Sequence, residues 1–346
     1  MYLPTLLLPV AAFHLQQASG WGTLGHETIA SIAQNLVKDQ TEAWAQNILN
    51  DTSSSYLANV STWADSYRYT AEGEFSAPFH YIDAEDDPPI SCDVDFDRDC
   101  GDEGCSVSAI ANYTQRVQQT DSLDVAEVSN ALKFLVHLVG DITQPLHDEA
   151  YKIGGNGVNV TFDGEDTNLH SVWDTEMPEQ LRGGDSLTDA EDWAANLTAQ
   201  INNGTYAAMK KSWLEGLDVD DAQGTALLWA QDANRYVCST VMPDGESPLT
   251  SEDLYPVYYD SAVHTVALQV AKAGYRLAAW LDAIAQKQSS TTCGADRRSR
   301  LEDHMVRRVA GAQDRSPSKL LPQPIGVKSL ARQRREVVGW GCRHQH

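Results

Sequence analysis

The chain has 346 residues, 42% of them hydrophobic, and a formal net charge of −24. That is long enough for one large domain or two modest ones, and the apolar fraction is ordinary for a globular protein. The charge is uneven: residues 291–346 hold 12 Lys/Arg against 5 Asp/Glu (+7), which leaves 13 against 44 (−31) in residues 1–290; this excludes phosphate capture by a basic face and leaves bound metal as the positive charge in any phosphate chemistry.

Taken in chain order, residues 1–20 read as a secretory signal. Leu6 to Phe13 is a short apolar run broken by Pro9, and Ala18-Ser19-Gly20 offers small residues for cleavage, although no Lys or Arg precedes the run. No later stretch is apolar for the 18 or so residues that a membrane span requires. Helical apolar spacing predicts helices at 26–38, 41–49, 56–68, 124–143, 168–178, 188–202, 222–241 and 260–287. The strongest is 124–143, with Leu132, Leu135, Val136, Val139 and Ile142 facing inward. Strands are few and short, at Phe79–Ile82 and Val158–Phe162, and loops rich in Gly and Asp occupy 83–108 and 152–166. No repeat of solenoid period is present. From Ser289 the chain turns basic and rich in Arg, Ser, Pro and Gln, which predicts an unstructured tail over 291–346. Nothing in that tail interleaves basic and aromatic residues as a nucleic-acid-binding segment would. The expectation is a mostly α, compact multi-helix domain over 21–290 with few short strands.

Six sequons, at Asn50, Asn59, Asn112, Asn159, Asn196 and Asn203, agree with export. So do the cysteines. Cys92, Cys100, Cys105 and Cys238 allow three pairings. Cys100–Cys105 would close a tight Gly-containing loop and leave Cys92–Cys238 as a long staple. A zinc knot is the alternative, and it lacks any CxxC spacing. Cys293 and Cys342 lie in the tail.

The most informative pattern is a doubled His-x3-Asp, at His137–Asp141 and His170–Asp174, with His147 between. A helix sets residues four apart on one face, one turn from each other. Imidazole and carboxylate together suit zinc. The wider candidate set is Trp21, His26, Asp65, His80, His137, Asp141, His147, His170 and Asp174, which takes five of the ten histidines. Each alone has an ordinary explanation: a hydrogen-bonded core histidine, a helix-end carboxylate, a surface imidazole. As a set they interrupt otherwise apolar elements. His137 splits Phe134-Leu-Val from Leu138-Val139, where a polar side chain is costly unless satisfied.

These strings resemble the zinc-dependent single-strand nucleases of fungi and plants, the S1/P1 nuclease family. The resemblance rests on Trp21-Gly-x-x-Gly-His26, Trp63-Ala-Asp65-x-x-Arg68, Phe79-His80-Tyr81-Ile82-Asp83, Phe134-Leu-Val-His137-x3-Asp141-x-x-Gln144-Pro145-Leu146-His147, Gly154-Gly155-Asn156-Gly157, Thr167-Asn168-Leu169-His170-x-x-Trp173-Asp174 and Ala271 to Ala278, and spans about 21–285. It implies three zinc ions at the base of a cleft. One ion would take Asp65, His80, His137 and Asp141. The second would take His147, His170 and Asp174. The third would take the free α-amino group and carbonyl of Trp21, with His26 and a bridging Asp141. It implies the disulfides Cys92–Cys238 and Cys100–Cys105. It also implies that Asp65, Asp141 and Arg68 serve catalysis, a bridging water attacking phosphorus while the ion at His147, His170 and Asp174 takes the departing 3′ oxygen. Tyr81 would stack a base where the family often has Phe, Asp83 would accept from the base edge, and Arg68 would steady the phosphate. Substrates would be single-stranded DNA and RNA and 3′-mononucleotides. Products would be 5′-phosphorylated, and the enzyme would be a secreted monomer without a membrane anchor. Two alternatives remain. A zinc-dependent phospholipase C shares the cluster but has Glu at the position of Asp174 and lacks the Tyr81/Asp83 pocket. A secreted glycoprotein could also bind zinc without catalysis.

Overall fold

The computed structural model describes residues 20–312, with side chains over 20–289. The signal segment up to residue 19, the chain beyond 312, and the side chains of Cys293 and Cys342 lie outside the described residues. Residues up to Ala285 cluster as one unit and those from Gln286 onward as another.

The first unit is built from helices around Val125–Asp141, the seventeen-residue helix that the apolar spacing predicted. Its start is fixed by Asp124, whose side chain accepts from the Glu127 backbone N–H. From Ala131 onward almost every side chain is buried, so this helix runs through the core and not along its surface. Ser106–Val117 packs on it and on Ala222–Tyr236, and Thr23–Leu36 packs on Leu187–Asn203. Val257–Ala312 crosses close to Thr23–Leu36 at Gly274, where a β-carbon would lie 2.5 Å from Ile32. This contact requires glycine there.

The predicted helices at 26–38, 41–49 and 188–202 match Thr23–Leu36, Asp39–Leu49 and Leu187–Asn203 to within a few residues. The last helix extends to Ala312, where the sequence placed the unstructured tail from Ser289; no proline occurs in that stretch before Pro317 to stop it.

Four expectations need correction. The single helix over 56–68 is two short pieces, Ala58–Val60 and Trp63–Tyr67, separated at Ser61-Thr62. The strand at Phe79–Ile82 is instead the end of a 3-10 turn, Glu74–His80, followed by extended chain. Tyr81 and Asp83 point outward while Ile82 and Ala84 are buried, so the alternation is real. The backbone partners, however, belong to a 3-10 turn and a helix start: Ile82 N–H donates to His147 O at 2.8 Å and Ser106 N–H to Tyr81 O at 2.8 Å. The loop assigned to 83–108 ends in Ser106–Val117, whose inward stripe is Val107, Ile110, Tyr113 and Val117. The fourth is Glu165–Asn168, read as the end of the 152–166 loop running into the helix at 168–178, which instead pairs antiparallel with Asn159–Phe162. Its polar residues carry no strand periodicity. The Asp163-Gly164 turn, with both φ angles positive at +50° and +85°, imposes the hairpin.

Both disulfides are formed as expected. Cys92–Cys238 staples the acidic loop to the end of the Ala222–Val241 segment, and Cys100–Cys105 closes the loop just before Ser106–Val117.

Candidate metal centre

Val125–Asp141 presents His137 and Asp141 on one face, both fully buried. The break at Ser61 has a purpose here: Ser61 O accepts from His137 Nδ1 at 2.6 Å. That bond places the other nitrogen, Nε2, 3.0 Å from Asp141 Oδ2 and 3.5 Å from Asp65 Oδ1. His80, at the end of its 3-10 turn, brings Nδ1 3.0 Å from Asp141 Oδ2 and 3.8 Å from Asp65 Oδ1. His26 stacks on His137 at a ring separation of 3.9 Å, and its Nε2 lies 3.1 Å from Asp141 Oδ1. Gly140 permits that stack, since a β-carbon there would approach His26 Nδ1 to 3.0 Å. Asp141 is thus the common neighbour of three imidazoles.

The second group stands on shorter elements. His147 lies in the 3-10 turn Pro145–Asp148, and its Nδ1 donates to His80 O at 2.7 Å. His170 sits in Leu169–Ser171, N-capped by Asn168, and Asp174 in the π turn Val172–Glu176 that follows. His170 Nδ1 donates to Gly154 O. Its Nε2 is 3.1 Å from Asp174 Oδ2 and 3.1 Å from His147 Nε2. Gln144 Nε2 donates to the other Asp174 oxygen at 2.6 Å.

These distances carry a chemical implication. His147 and His170 both spend their Nδ1 protons on carbonyls. Where both rings are neutral, each then aims an Nε2 lone pair at the other, an arrangement that a metal ion or a proton between them relieves. Among the buried atoms of the first group, His26 Nε2, His80 Nε2, Asp65 Oδ1 and Asp141 Oδ1 have no hydrogen-bond partner. Among the candidate ligands, three sets bring their ligand atoms within 4.8 Å of one another: His26/Asp65/His137, His80/His137/Asp141 and His147/His170/Asp174. A donor set of imidazole nitrogens and carboxylate oxygens in this arrangement fits metal ions.

Proton affinities differ between the groups. Burial lowers those of His26 and His80. His137 is also disfavoured by burial, but the Asp141 and Asp65 charges outweigh it and raise it to about 9. Asp141, despite burial, is held well below the carboxylate range by His137 and its hydrogen bonds. In the second group burial lowers His147 to about 3 and raises Asp174 to about 6, while His170, also disfavoured by burial, is raised by the Asp174 charge.

Trp21 is fully buried, its indole N–H donating to Thr143 Oγ1 at 3.3 Å. The following amide, Gly22 N–H, donates to Asp174 O at 2.9 Å, so the start of the described chain is tied to the cluster. Gly20 is wedged against it. A β-carbon there would lie 1.7 Å from Asp141 Oδ1 and 2.8 Å from His26 Nε2.

Beside the buried cluster lies an open face. Tyr81 is 37% exposed. Partial burial and then the Asp83 charge raise its proton affinity, while the buried Arg68 opposes them, so both charges act on the ring. Asp83 is raised by desolvation and by Asp99 and Glu85. Arg68 donates from Nη2 to Tyr69 Oη at 3.0 Å. The carbonyls of Ser61 and Gly154 and the Gln144 amide went unread in the sequence as supports of the site. The Gly154-Gly155 pair was their one visible signal. It closes four successive left-handed residues: Lys152 and Ile153 at φ +46° and +61°, and Gly154 and Gly155 at +57° and +80°.

All six sequon asparagines are exposed. Among the described residues no helix is long and apolar enough to cross a membrane.

The S1/P1 Nuclease family model matches residues 21–286. Nuclease S1 of Aspergillus oryzae is 56% identical over 286 residues, covering 82% of this chain and 99% of the relative. Nuclease P1 of Penicillium citrinum is 55% identical over 264 residues, covering 76% and 97%. A plant protein, Endonuclease 3 of Arabidopsis thaliana, is 28% identical over 269 residues, covering 76% and 88%.

Proposed function

The chain belongs to the S1/P1 nuclease family and is a phosphodiester hydrolase acting on nucleic acid, and from that premise we propose that it is a secreted, monomeric, zinc-dependent endonuclease of single-stranded DNA and RNA. The observation that carries this reading is one juxtaposition: interlocking buried His/Asp groups open beside an exposed ring at Tyr81. The family match disfavours the phospholipase C alternative. The six exposed sequons support export.

Three zinc ions would be held, by Asp65, His80, His137 and Asp141, by His147, His170 and Asp174, and by Trp21, His26 and Asp141. When bound, zinc lowers the proton affinity of a water toward neutrality and offsets the charge of the phosphodiester. Asp141 keeps His26, His80 and His137 in one arrangement through its two oxygens. Arg68 supplies a fixed positive charge to the phosphate as negative charge builds on its oxygens. Tyr81 stacks an unpaired base, and the Asp83 carboxylate accepts hydrogen bonds from the base edge. Paired bases cannot reach that ring, which selects against duplex. Products carry a 5′ phosphate, and 3′-mononucleotides lose theirs.

Trp21 contributes its α-amino group only after cleavage behind Gly20. The wedge of Gly20 on Asp141 and His26 supports this order of events, since the leader must leave before the site is free. Mass spectrometry of the secreted protein, native and denatured, tests the reading with a rate assay on single- and double-stranded DNA. Expected are an N-terminal Trp21, three zinc ions and a strong preference for single strands. One extra residue before Trp21 should lower both zinc content and rate. Equal cleavage of duplex, or activity that survives exhaustive chelation, contradicts the proposal.

A further inference from the structure

The segment Ala271 to Ala278 takes no part in the steps above, yet it carries two buried cations. Lys272 and Arg276 stand one turn apart on Val257–Ala312, each 4% exposed. Asp232 and Tyr236 stand one turn apart on Ala222–Tyr236 and meet them. Lys272 Nζ donates to Asp232 Oδ2 at 2.9 Å and to Tyr236 Oη at 3.2 Å. Arg276 Nη2 donates to the same Asp232 oxygen at 2.6 Å, and its Nε to Trp213 O at 3.1 Å. These five residues line one cleft of about 340 Å³, a size that suits a small ligand. Asp232 keeps 29% of its side-chain surface exposed, so the cleft reaches solvent.

The cations exceed what the carboxylate needs. Burial raises the proton affinity of Asp232, but the Arg276 and Lys272 charges outweigh it and hold the group below its ordinary value. The lining therefore carries two positive charges and one negative. Asp148, whose charge also reaches Arg276, does not line the cleft. A structural ion pair requires one cation for one carboxylate, and Arg276 alone provides it; Lys272 is a second buried charge, costly unless an anion meets it. Half of the N–H donors of the two side chains remain after the four bonds just given, and Arg276 Nη1 is buried without a partner. The Tyr236 hydroxyl, which accepts from Lys272, still has its own proton to donate. The wider charge pattern agrees. Lys210 and Lys211 are chain neighbours of the lining residues Met209 and Ser212, so four of the 13 Lys/Arg in residues 1–290 gather at this cleft.

We propose that this cleft is an anion site that takes a phosphate group, with Lys272 supplying the charge and Arg276 and Tyr236 further donors. It shares no residue with the metal centre, and the inference stands without the assignment of the metal ligands. Ionised donors around a tetrahedral oxyanion make short, strong hydrogen bonds, which suits phosphate.

The zinc-loaded enzyme crystallised with inorganic phosphate should show the ion within hydrogen-bonding distance of Lys272 Nζ. Phosphate at the metal centre alone overturns the proposal. Calorimetric titration with phosphate then supplies a test of sign. Lys272→Met should weaken binding at least about fivefold, and Asp232→Asn, which removes the opposing charge, should tighten it at least about fivefold. A merely structural ion pair predicts no gain in Asp232→Asn. Both variants should keep the zinc count and the cleavage rate of the wild type. Should Lys272→Met fail to fold, Asp232→Asn and the crystal still decide. Density at Lys272 with unchanged affinity in both variants means an adventitious ion only and overturns the site. Inorganic phosphate and a 5′-mononucleotide carry the same group, and titration with adenosine 5′-monophosphate separates them: tighter binding than free phosphate supports the site as one for nucleotide, equal binding as one for the free ion. Adenosine bound as tightly as its monophosphate overturns the proposal.

Discussion

The two His-x3-Asp pairs have the same spacing and different foundations. His137 and Asp141 end a seventeen-residue helix that is capped by Asp124 and buried through the core. His170 and Asp174 straddle a three-residue helical turn and a π turn, and lean on the left-handed run 152–155. The first pair inherits its rigidity from packing that exists anyway. The second is held by particular groups: Gly154 O on His170, His80 O on His147, and the Gln144 amide on Asp174. Spacing alone decides that two side chains can meet; what lies beneath decides how firmly and in which charge state.

The sharpest test contrasts the carboxylates. Asp141 touches His26, His80 and His137, whereas Asp174 closes one group. Asp141→Asn should lower kcat/KM by at least about 10³-fold and remove more than one metal ion. Asp174→Asn should remove one ion and cost roughly 10²-fold. Metal counts by native mass spectrometry, read beside the rates, check this. Equal metal loss in the two variants would break the view of Asp141 as the shared ligand.

The same contrast explains what could be read from the chain. Val125–Asp141 was legible because its apolar stripe is long and its interruptions are the ligands themselves. Tyr81 and Asp83 alternate like a strand because Ile82 and Ala84 really do face inward, but no ladder exists for them to join. Ser106–Val117 was missed although Val107, Ile110, Tyr113 and Val117 carry the spacing, because a Gly- and Asp-rich loop runs directly into it. The supports of the second group were illegible for a different reason. A backbone carbonyl has no sequence signature, and only the glycines that free it to turn leave a trace.

Gly154→Ala probes that trace. A β-carbon there would sit 2.6 Å from Leu146 O and 3.3 Å from His170 Nδ1, on a backbone at φ +57°. Strain of about 1–3 kcal/mol is expected. It should appear as a lower unfolding temperature and as weaker metal retention at the second group only. Equal weakening of the first group would mean that the two are not separately supported.

Metal uptake should also distinguish the halves by their protons. In the metal-free protein His137 is raised to about 9, so at pH 7.5, a value chosen about 1.5 units lower, it is mostly protonated and a metal must displace that proton. His147, lowered to about 3, and Asp174, at about 6, are already free of theirs. The sign follows: affinity at the first group should climb as pH rises toward 9, roughly tenfold per unit, and flatten above it. At the second group the proton left to displace is that of His170, which the Asp174 charge holds against burial, so the dependence there should be weaker. Calorimetry of zinc binding in buffers of different ionisation heat counts the protons released. Equal release in wild type and in a variant that lacks the first group would contradict the assignment.

The smallest effect tests whether the second half carries strain. Ile153 is β-branched, sits at φ +61° and is 78% exposed, so little packing compensates it. A non-glycine residue in the left-handed region costs about 1–2 kcal/mol. Glycine removes that cost and returns about 0.5–1 kcal/mol of it through its greater freedom in the unfolded chain. Ile153→Gly should therefore gain up to about 1 kcal/mol and raise the unfolding temperature by roughly 1–3 °C, with the metal count unchanged. A fall in temperature would show that Ile153 makes a stabilising contact and that the turn delivering Gly154 O to His170 is relaxed. The second pair would then stand on a foundation as settled as the helix beneath the first.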